Sequence, residues 1–161
     1  MIRNVNINDA KDIADIYNKY IANTTITFET ERLRVAEMEK RIKSIAAVGP
    51  YFIYMEEGKL CGYCYAHPWK ERAAYANTFE TTIYLAPGYE NKGIGTQLMR
   101  RLIADCHSRD IHALIACITE GNAASNHLHE KLGFRQVSHF RQVGRKFDRW
   151  LDVVDYELIL E

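Results

Sequence analysis

The sequence lacks both an excess of one charge and a long apolar run. Its 161 residues include 21 basic and 21 acidic side chains, so the formal net charge is zero. Proteins whose main partner is nucleic acid usually carry a basic excess, and the balance argues against that class. No apolar stretch approaches the ~18 residues of a membrane span, and the N-terminal MIRNVNIND has no signal-peptide pattern. We therefore expect a cytoplasmic globular protein that binds neither nucleic acid nor membrane.

Metal-binding and disulfide patterns are also missing. Cys61 and Cys64 form one C-x-x-C, but no second follows, and the surrounding LCGYCYA is typical of a β-strand. Residues three apart on a strand face opposite sides, so these thiols do not converge. His127 and His129 likewise diverge by roughly 200° around a helix. We expect no metal site and four reduced cysteines: Cys61, Cys64, Cys106 and Cys117.

Repeats, linkers and low-complexity segments are absent, so residues 1–161 are predicted to form one domain. Apolar spacing and turn residues predict the order β-α-α-β-β-β-α-β-α-β-β. We place the strands at 2–7, 51–55, 60–66, 79–85, 113–118, 135–140 and 153–160. We place one helix after an Asn8 cap and the others at 35–47, 96–108 and 125–132. The fold class is therefore α/β, a mixed central sheet of about seven strands flanked by about four helices, with 113–118 parallel to 79–85.

The strongest functional pattern lies in residues 77–101, NTFETTIYLAPGYENKGIGTQLMRR. A predicted strand ends at Pro87-Gly88, and a helix begins near Thr96 after the turn ENKGIG. A glycine-rich turn that opens a helix presents unpaired N–H groups, and the helix dipole adds positive potential. This suits a diphosphate, although a tight strand-to-helix connection gives the same pattern. No Walker A motif occurs, and Leu98 replaces the third glycine of a dinucleotide fingerprint.

The turn resembles motif A of the GNAT acetyltransferases, [Q/R]-x-x-G-x-[G/A], which holds the pyrophosphate of acetyl-CoA. Glu90 occupies the usual Gln or Arg place, where a carboxylate repels a diphosphate unless it points away. The predicted element order is also the GNAT order, so the resemblance covers nearly the whole chain. It implies acetyl-CoA as co-substrate, no metal, and contacts from Asn91, Lys92, Gly93, Ile94, Gly95 and Thr96.

Three further segments resemble the phosphinothricin and methionine sulfone/sulfoximine acetyltransferases of that superfamily. They are TITFET at 25–30, WKERAAY at 69–75 continuing into TFETTIY at 78–84, and NAAS at 122–125 leading to HEKLGF at 129–134. The resemblance implies an enzyme that moves acetyl from acetyl-CoA to the α-amine of a small amino-acid-like acceptor. It also implies a homodimer, because the pocket in this group often lies near a dimer interface.

Acetyl transfer to an amine needs a base for the ammonium, donors for the oxyanion and a proton for the departing thiolate. Glu80 matches the family's base on the strand that leads to the turn. The alternative is a solvated or salt-bridged carboxylate. His129 takes the tyrosine place of the pattern N-x-x-[SA]-x-x-x-Y, where an imidazole can donate to the thiolate or relay a proton. The alternative is a histidine packed between helix and sheet.

The resemblance implies the remaining roles. We expect a backbone N–H near Leu85, at a bulged strand end, to bind the acetyl carbonyl, Asn122 to bind the pantetheine arm and Ser125 to face the cofactor. Lys70 and Arg72 point the same way if the chain alternates there, and a guanidinium suits a carboxylate or phosphinate. The pocket wall is predicted to be aromatic, from Phe28, Trp69, Tyr75 and Tyr84.

Two other functions remain open at this point. The acceptor can be a different amine, such as a polyamine, an aminoglycoside or a protein N-terminus, although the balanced charge disfavours polycations. The chain can also be a CoA-binding sensor without turnover. Glu90 leaves that possibility open, whereas Glu80 and His129 oppose it.

Overall fold

The computed structural model describes all residues from Met1 to Glu161, and it contains seven β-strands and four α-helices. The strands are β1 (Ile2–Asn4), β2 (Tyr51–Glu56), β3 (Lys59–Pro68), β4 (Thr78–Leu85), β5 (Ala113–Thr119), β6 (Arg135–Lys146) and β7 (Arg149–Ile159). The helices are α1 (Ala10–Asn23), α2 (Val35–Ala46), α3 (Ile94–Ser108) and α4 (Ala123–Lys131). The predicted α/β class and element order are confirmed.

One mixed sheet contains all seven strands, in the order β1-β2-β3-β4-β5-β7-β6. Neighbouring strands are antiparallel except β4 and β5, which run parallel as predicted. A parallel pair needs a crossover, and α3 supplies it. β4 and β5 pair only from Thr78–Ala113 to Glu80–Ile115. Beyond Glu80 they are no longer paired, so the sheet is split between them.

Each face of the sheet has its own core. Apolar residues of α3 such as Leu98 and Leu102 are fully buried against one face. On the other face, residues of α1 and α2 such as Ile13 and Ile42 pack against β2, β3 and Tyr84 of β4. No residue of β5, β6 or β7 joins this second core, so α1 and α2 cover only half of that face. None of the four helices combines the length and apolar character that a membrane crossing requires.

The predicted start of the first helix is wrong. β1 ends at Asn4, and a short 3-10 helix, Ile7–Asp9, precedes α1. Asn6 rather than Asn8 is the cap, because its side chain accepts a hydrogen bond from Asn8 N while Asp9 accepts one from Asn6 N. This reciprocal capping box ends the strand three residues before the predicted boundary.

The C-terminal hairpin is longer than predicted. The polar segment between 140 and 153 continues both strands, so that β6 reaches Lys146 and β7 begins at Arg149. Phe147 and Asp148 form the turn with φ of 51° and 56°. β6 is the edge strand of the sheet, and most of its side chains are polar and face solvent. The sequence therefore lacks the alternation of apolar and polar residues by which a strand is predicted.

Candidate active site

A cleft of about 910 Å³ opens where β4 and β5 separate. Its walls are the two diverging strands, the N-terminal end of α3, the helix α4 and the loop between α1 and α2. Many of the predicted site residues come together here: Phe28, Glu80, Tyr84, Leu85, Asn91, Gly93, Gly95, Thr96, Asn122, Ser125 and His129.

The end of the cleft at α3 has the geometry of a diphosphate site. Gly93, the residue before the helix, has φ of 77°, and an added Cβ there meets no atom within 4 Å. The N–H groups of the first helical residues, Ile94, Gly95 and Thr96, have no intrahelical acceptor. These donors and the helix dipole favour an anion at this open place. The pyrophosphate of acetyl-CoA therefore fits the residues present.

Glu90, the departure from the family pattern, is held at the turn before α3. One of its carboxylate oxygens accepts a hydrogen bond of 2.8 Å from Gly88 N. Two predicted contacts lie outside the cleft lining: the ammonium of Lys92 is 4.7 Å from the ring centroid of Tyr89, and the Ile94 side chain is buried. Main-chain N–H groups are thus the principal donors at this end.

The edge of β4 presents main-chain groups to the cleft. Ala86 N donates to Cys61 O at 2.8 Å, which fixes the alternation of hydrogen bonds between β3 and β4. Even-numbered residues of β4 bond to β3, so odd-numbered residues direct their N–H and C=O groups to the other side. Because β5 has moved away beyond the Glu80–Ile115 pair, these groups face the cleft at Ile83 and Leu85. Sequence periodicity alone did not reveal this feature.

The expected bulge at the end of β4 is absent. The register with β3 is continuous from Pro68–Phe79 to Gly62–Leu85. The divergence of β4 from β5, and not a bulge, is what turns the Leu85 N–H towards the cleft. The Leu85 carbonyl accepts a hydrogen bond of 2.7 Å from the Tyr20 hydroxyl, which anchors this strand end to α1.

Glu80 lies where the split begins. Its carboxylate lines the cleft and makes no hydrogen bond to any other group of the chain. Burial raises the pKa of Glu80, His67 on the neighbouring strand lowers it, and Asp155 raises it further. A partly buried carboxylate with a raised pKa and no partner is suited to accept a proton from a bound ammonium.

Two cleft residues beside Glu80 were not predicted. His67 is its direct neighbour in the β3–β4 register. Cys117 of β5 donates a 2.9 Å hydrogen bond to Asp155 of β7. Burial and this carboxylate raise the pKa of the Cys117 thiol to about 12, so it remains protonated near neutral pH. Only the strand register brings these residues to Glu80, and composition and spacing give no signal of it.

His129 is fixed by the first turn of α4. Asn122 caps this helix by accepting a 3.3 Å hydrogen bond from Ser125 N. The His129 Nδ1 lies 2.7 Å from the carbonyl oxygen of Ser125, and the ring packs edge-to-face on Phe134. Burial lowers the pKa of His129, and the hydrogen bond to Ser125 partly opposes this. The ring is therefore neutral near pH 7, with an acceptor at Nε2.

Glu80 and His129 approach the split from opposite faces of the sheet. Glu80 shares a face of β4 with Tyr84, which packs in the core under α1 and α2. His129 packs against Phe134 and Tyr156, which belong to the core under α3. The carboxylate and the imidazole therefore line the cleft from opposite faces of the sheet.

Only some of the predicted acceptor-binding residues line the cleft. Tyr84 and Phe28 line the cleft, whereas Lys70, Arg72 and Tyr75 do not. The alternating strand expected at 70–72 does not form, because β3 ends at Pro68 and the chain then enters the 3-10 helix Ala73–Tyr75. The Lys70 ammonium lies 4.2 Å from the ring centroid of Trp69. A role for Lys70, Arg72 and Tyr75 in acceptor binding stays a prediction.

Residues 2–154 match the family model of the acetyltransferase (GNAT) domain. The chain belongs to the GNAT acetyltransferase family. It is accordingly an acetyl-CoA-dependent acetyltransferase.

Known relatives agree with this membership. The acetyltransferase is 39% identical over 153 residues to a phosphinothricin N-acetyltransferase of Streptomyces coelicolor, covering 92% of this chain and 90% of the relative. It is 32% identical to an L-methionine sulfoximine/L-methionine sulfone acetyltransferase of Pseudomonas aeruginosa, covering 99% and 94%. A phosphinothricin acetyltransferase of Sinorhizobium meliloti, solved with acetyl-CoA, matches with a TM-score of 0.96 at 32% identity, covering 99% and 88%.

Proposed function

We propose that this acetyltransferase transfers acetyl to the α-amine of a small amino-acid-like acceptor of the phosphinothricin, methionine sulfone or methionine sulfoximine type. The observation that carries the proposal is the unpartnered carboxylate of Glu80, at the start of a split that ends at the α3 turn. The names of the relatives in Streptomyces and Pseudomonas support this acceptor class.

The residues that would hold acetyl-CoA follow the split from one end to the other. The diphosphate would be held by the N–H groups of Gly95 and Thr96, and the pantetheine arm by the free edge of β4 beside Asn122 and Ser125, all of which line the cleft. When bound, acetyl-CoA supplies the thioester carbon that the amine attacks. The Leu85 N–H faces the cleft and is our candidate donor to the carbonyl oxygen.

Glu80 is our candidate for the base, acting directly or through a water molecule. Its raised pKa brings the carboxylate closer to the pKa of the acceptor ammonium, which makes proton transfer less unfavourable. Cys117 is not a nucleophile in this proposal, because its thiol keeps its proton at neutral pH. We propose that acetyl passes directly from acetyl-CoA to the amine while both substrates occupy the cleft.

His129 is our candidate for a proton relay on the opposite face. Its Nδ1–H donates a hydrogen bond to the Ser125 carbonyl oxygen. In the neutral ring, Nε2 therefore has a free lone pair that can accept a proton. Glu80 takes the first proton of the ammonium, and the ring can take at Nε2 the second proton, which the amine nitrogen loses as it bonds to the acetyl carbon. The ring then gives this proton to the departing thiolate. Of the two roles that the sequence left open for His129, this proposal adopts the proton relay.

The proposal is tested with a panel of amines and acetyl-CoA, following the release of free thiol. Phosphinothricin, methionine sulfone and methionine sulfoximine are compared with a polyamine, an aminoglycoside and a peptide with a free N-terminus. We expect the first group to have the highest kcat/KM. Preference for any of the other amines would replace the proposed acceptor class, and thiol release without an acetylated product would indicate only hydrolysis.

We also propose a homodimer formed through the β6–β7 hairpin, in the cytoplasm. Apolar side chains are concentrated on this edge of the sheet although they are half or more exposed: Val137, Phe140, Val143, Phe147 and Trp150. Exposed apolar clusters of this kind commonly mark protein interfaces. The four free cysteines fit a reducing compartment.

A further inference from the structure

We infer that the β6–β7 hairpin sets the size of the acceptor pocket, with Gly144 as the residue that admits the ring of Phe28. The inference rests on the proposed function, because it assigns the wall of the same pocket. Gly144 is a positioning residue in this account, since it acts on the acceptor only through Phe28.

The steric observation concerns a contact between segments far apart in the sequence. A Cβ added to Gly144 would overlap Cε2 of Phe28 and would lie 2.7 Å from its Cζ. The backbone of Gly144 is not in the left-handed region, so its φ does not require glycine. Glycine is required there for space alone, and the space is taken up by the aromatic ring.

The main chain beside Phe28 is held in place by several hydrogen bonds. The buried ammonium of Lys146, two residues after Gly144, donates to Thr27 O at 2.9 Å. The Thr119 hydroxyl donates to Thr25 O at 2.8 Å, and Tyr17 and Thr27 share a hydroxyl pair at 2.8 Å. These bonds fix the loop, so the Phe28 ring is the part free to move.

The direction of that movement follows from what surrounds the ring. Phe28 is 39% exposed and lines the cleft, whereas its other side rests on the hairpin. Thr119, which holds the loop, lies two residues after Cys117 on β5 and so shares its face of the sheet. Cys117 pairs with Asp155, a neighbour of Glu80, so the loop covers the acceptor side. A larger residue at 144 would displace the ring towards the bound acceptor.

The test compares the wild type, Gly144→Ala, Phe28→Ala and the double variant, using methionine sulfone and the smaller acceptor alanine. We expect Gly144→Ala to lower kcat/KM for methionine sulfone by about tenfold or more through KM, the scale of one misplaced methylene. The kcat values, the KM for acetyl-CoA and the kcat/KM for alanine should change by less than about threefold. Arg145→Ala, an exposed neighbour on β6, is the matched control and should match the wild type.

The double variant distinguishes a contact with Phe28 from general damage to the hairpin. In the Phe28→Ala background, Gly144→Ala should have no further effect on selectivity or on the melting temperature. If Gly144→Ala alone does not fold, the double variant should, and Phe28→Ala should favour the larger acceptor. Equal losses for both acceptors, or the same Gly144→Ala effect without the ring, would overturn the inference. A wild type without turnover on any amine would instead overturn the proposed function, and this inference with it.

Discussion

The Nδ1 of His129 lies 2.7 Å from the carbonyl oxygen of Ser125, four residues earlier on α4. A carbonyl can only accept a hydrogen bond, so Nδ1 carries the hydrogen and Nε2 has the free lone pair. Burial lowers the pKa of the ring, which keeps it uncharged near neutral pH. The imidazole is therefore prepared to accept a proton before it donates one.

A substitution can distinguish the roles of the two ring nitrogens of His129. His129→Asn retains a donor near the position of Nδ1 and removes Nε2. We expect kcat to fall by roughly 10²–10⁴, the usual contribution of a positioned acid or base, while the affinity for acetyl-CoA is unchanged. Steady-state kinetics and calorimetry on the folded variant check this. A kcat within about twofold of the wild type would assign His129 a packing role only.

The same ring should make stability depend on pH. Because burial lowers the pKa of His129 in the folded state, the unfolded state binds the proton first as the pH falls. The free energy of unfolding should therefore decrease as pH drops from about 6.5 through the lower folded-state pKa. Urea unfolding of His129→Gln should lack this decrease. His112→Gln, at an exposed histidine, is the control and should keep it.

The acetyl-CoA site can be tested by filling the open turn. Gly93→Val places a branched side chain where we propose that the diphosphate binds, and steric overlap typically costs 1–3 kcal/mol, so affinity should fall roughly tenfold or more. Valine at φ of 77° also strains the backbone. Gly58→Val is the matched control, because Gly58 has the same φ and the same open surroundings in the β2–β3 turn. Calorimetry showing equal acetyl-CoA affinity for both variants would remove the assignment.

The element order, the parallel β4–β5 pair and the α3 turn were predictable because each depends on local spacing and turn residues. The neighbours of Glu80 were not, since His67 and Asp155 reach it only through strand register. The contact of Gly144 with Phe28 joins segments 116 positions apart and depends on a hairpin whose polar edge strand resembles a loop. Local sequence patterns thus predict the α3 turn better than they predict the surroundings of Glu80 and Phe28.

The dimer proposal predicts that introducing one negative charge on the β6–β7 hairpin dissociates the dimer. Trp150 is 61% exposed on β7 beside the other apolar residues of this edge. Trp150→Glu should convert a dimer to a monomer in sedimentation velocity, because a carboxylate is costly to bury in an apolar contact. Val48→Glu, an exposed apolar position outside the hairpin, should leave the dimer intact. A wild type that sediments as a monomer at micromolar concentration would contradict the proposal.

The central claim, that Glu80 takes the proton of the acceptor amine, is tested most directly by the pH dependence of kcat/KM for the wild type and Glu80→Gln. Because burial raises the pKa of Glu80, wild-type activity should fall as the pH drops through a value above the ordinary ~4.3 of a glutamate. Glu80→Gln should lower kcat/KM by roughly 10²–10⁴ and remove that limb. A folded Glu80→Gln variant with the wild-type rate and the same acid limb would contradict the account.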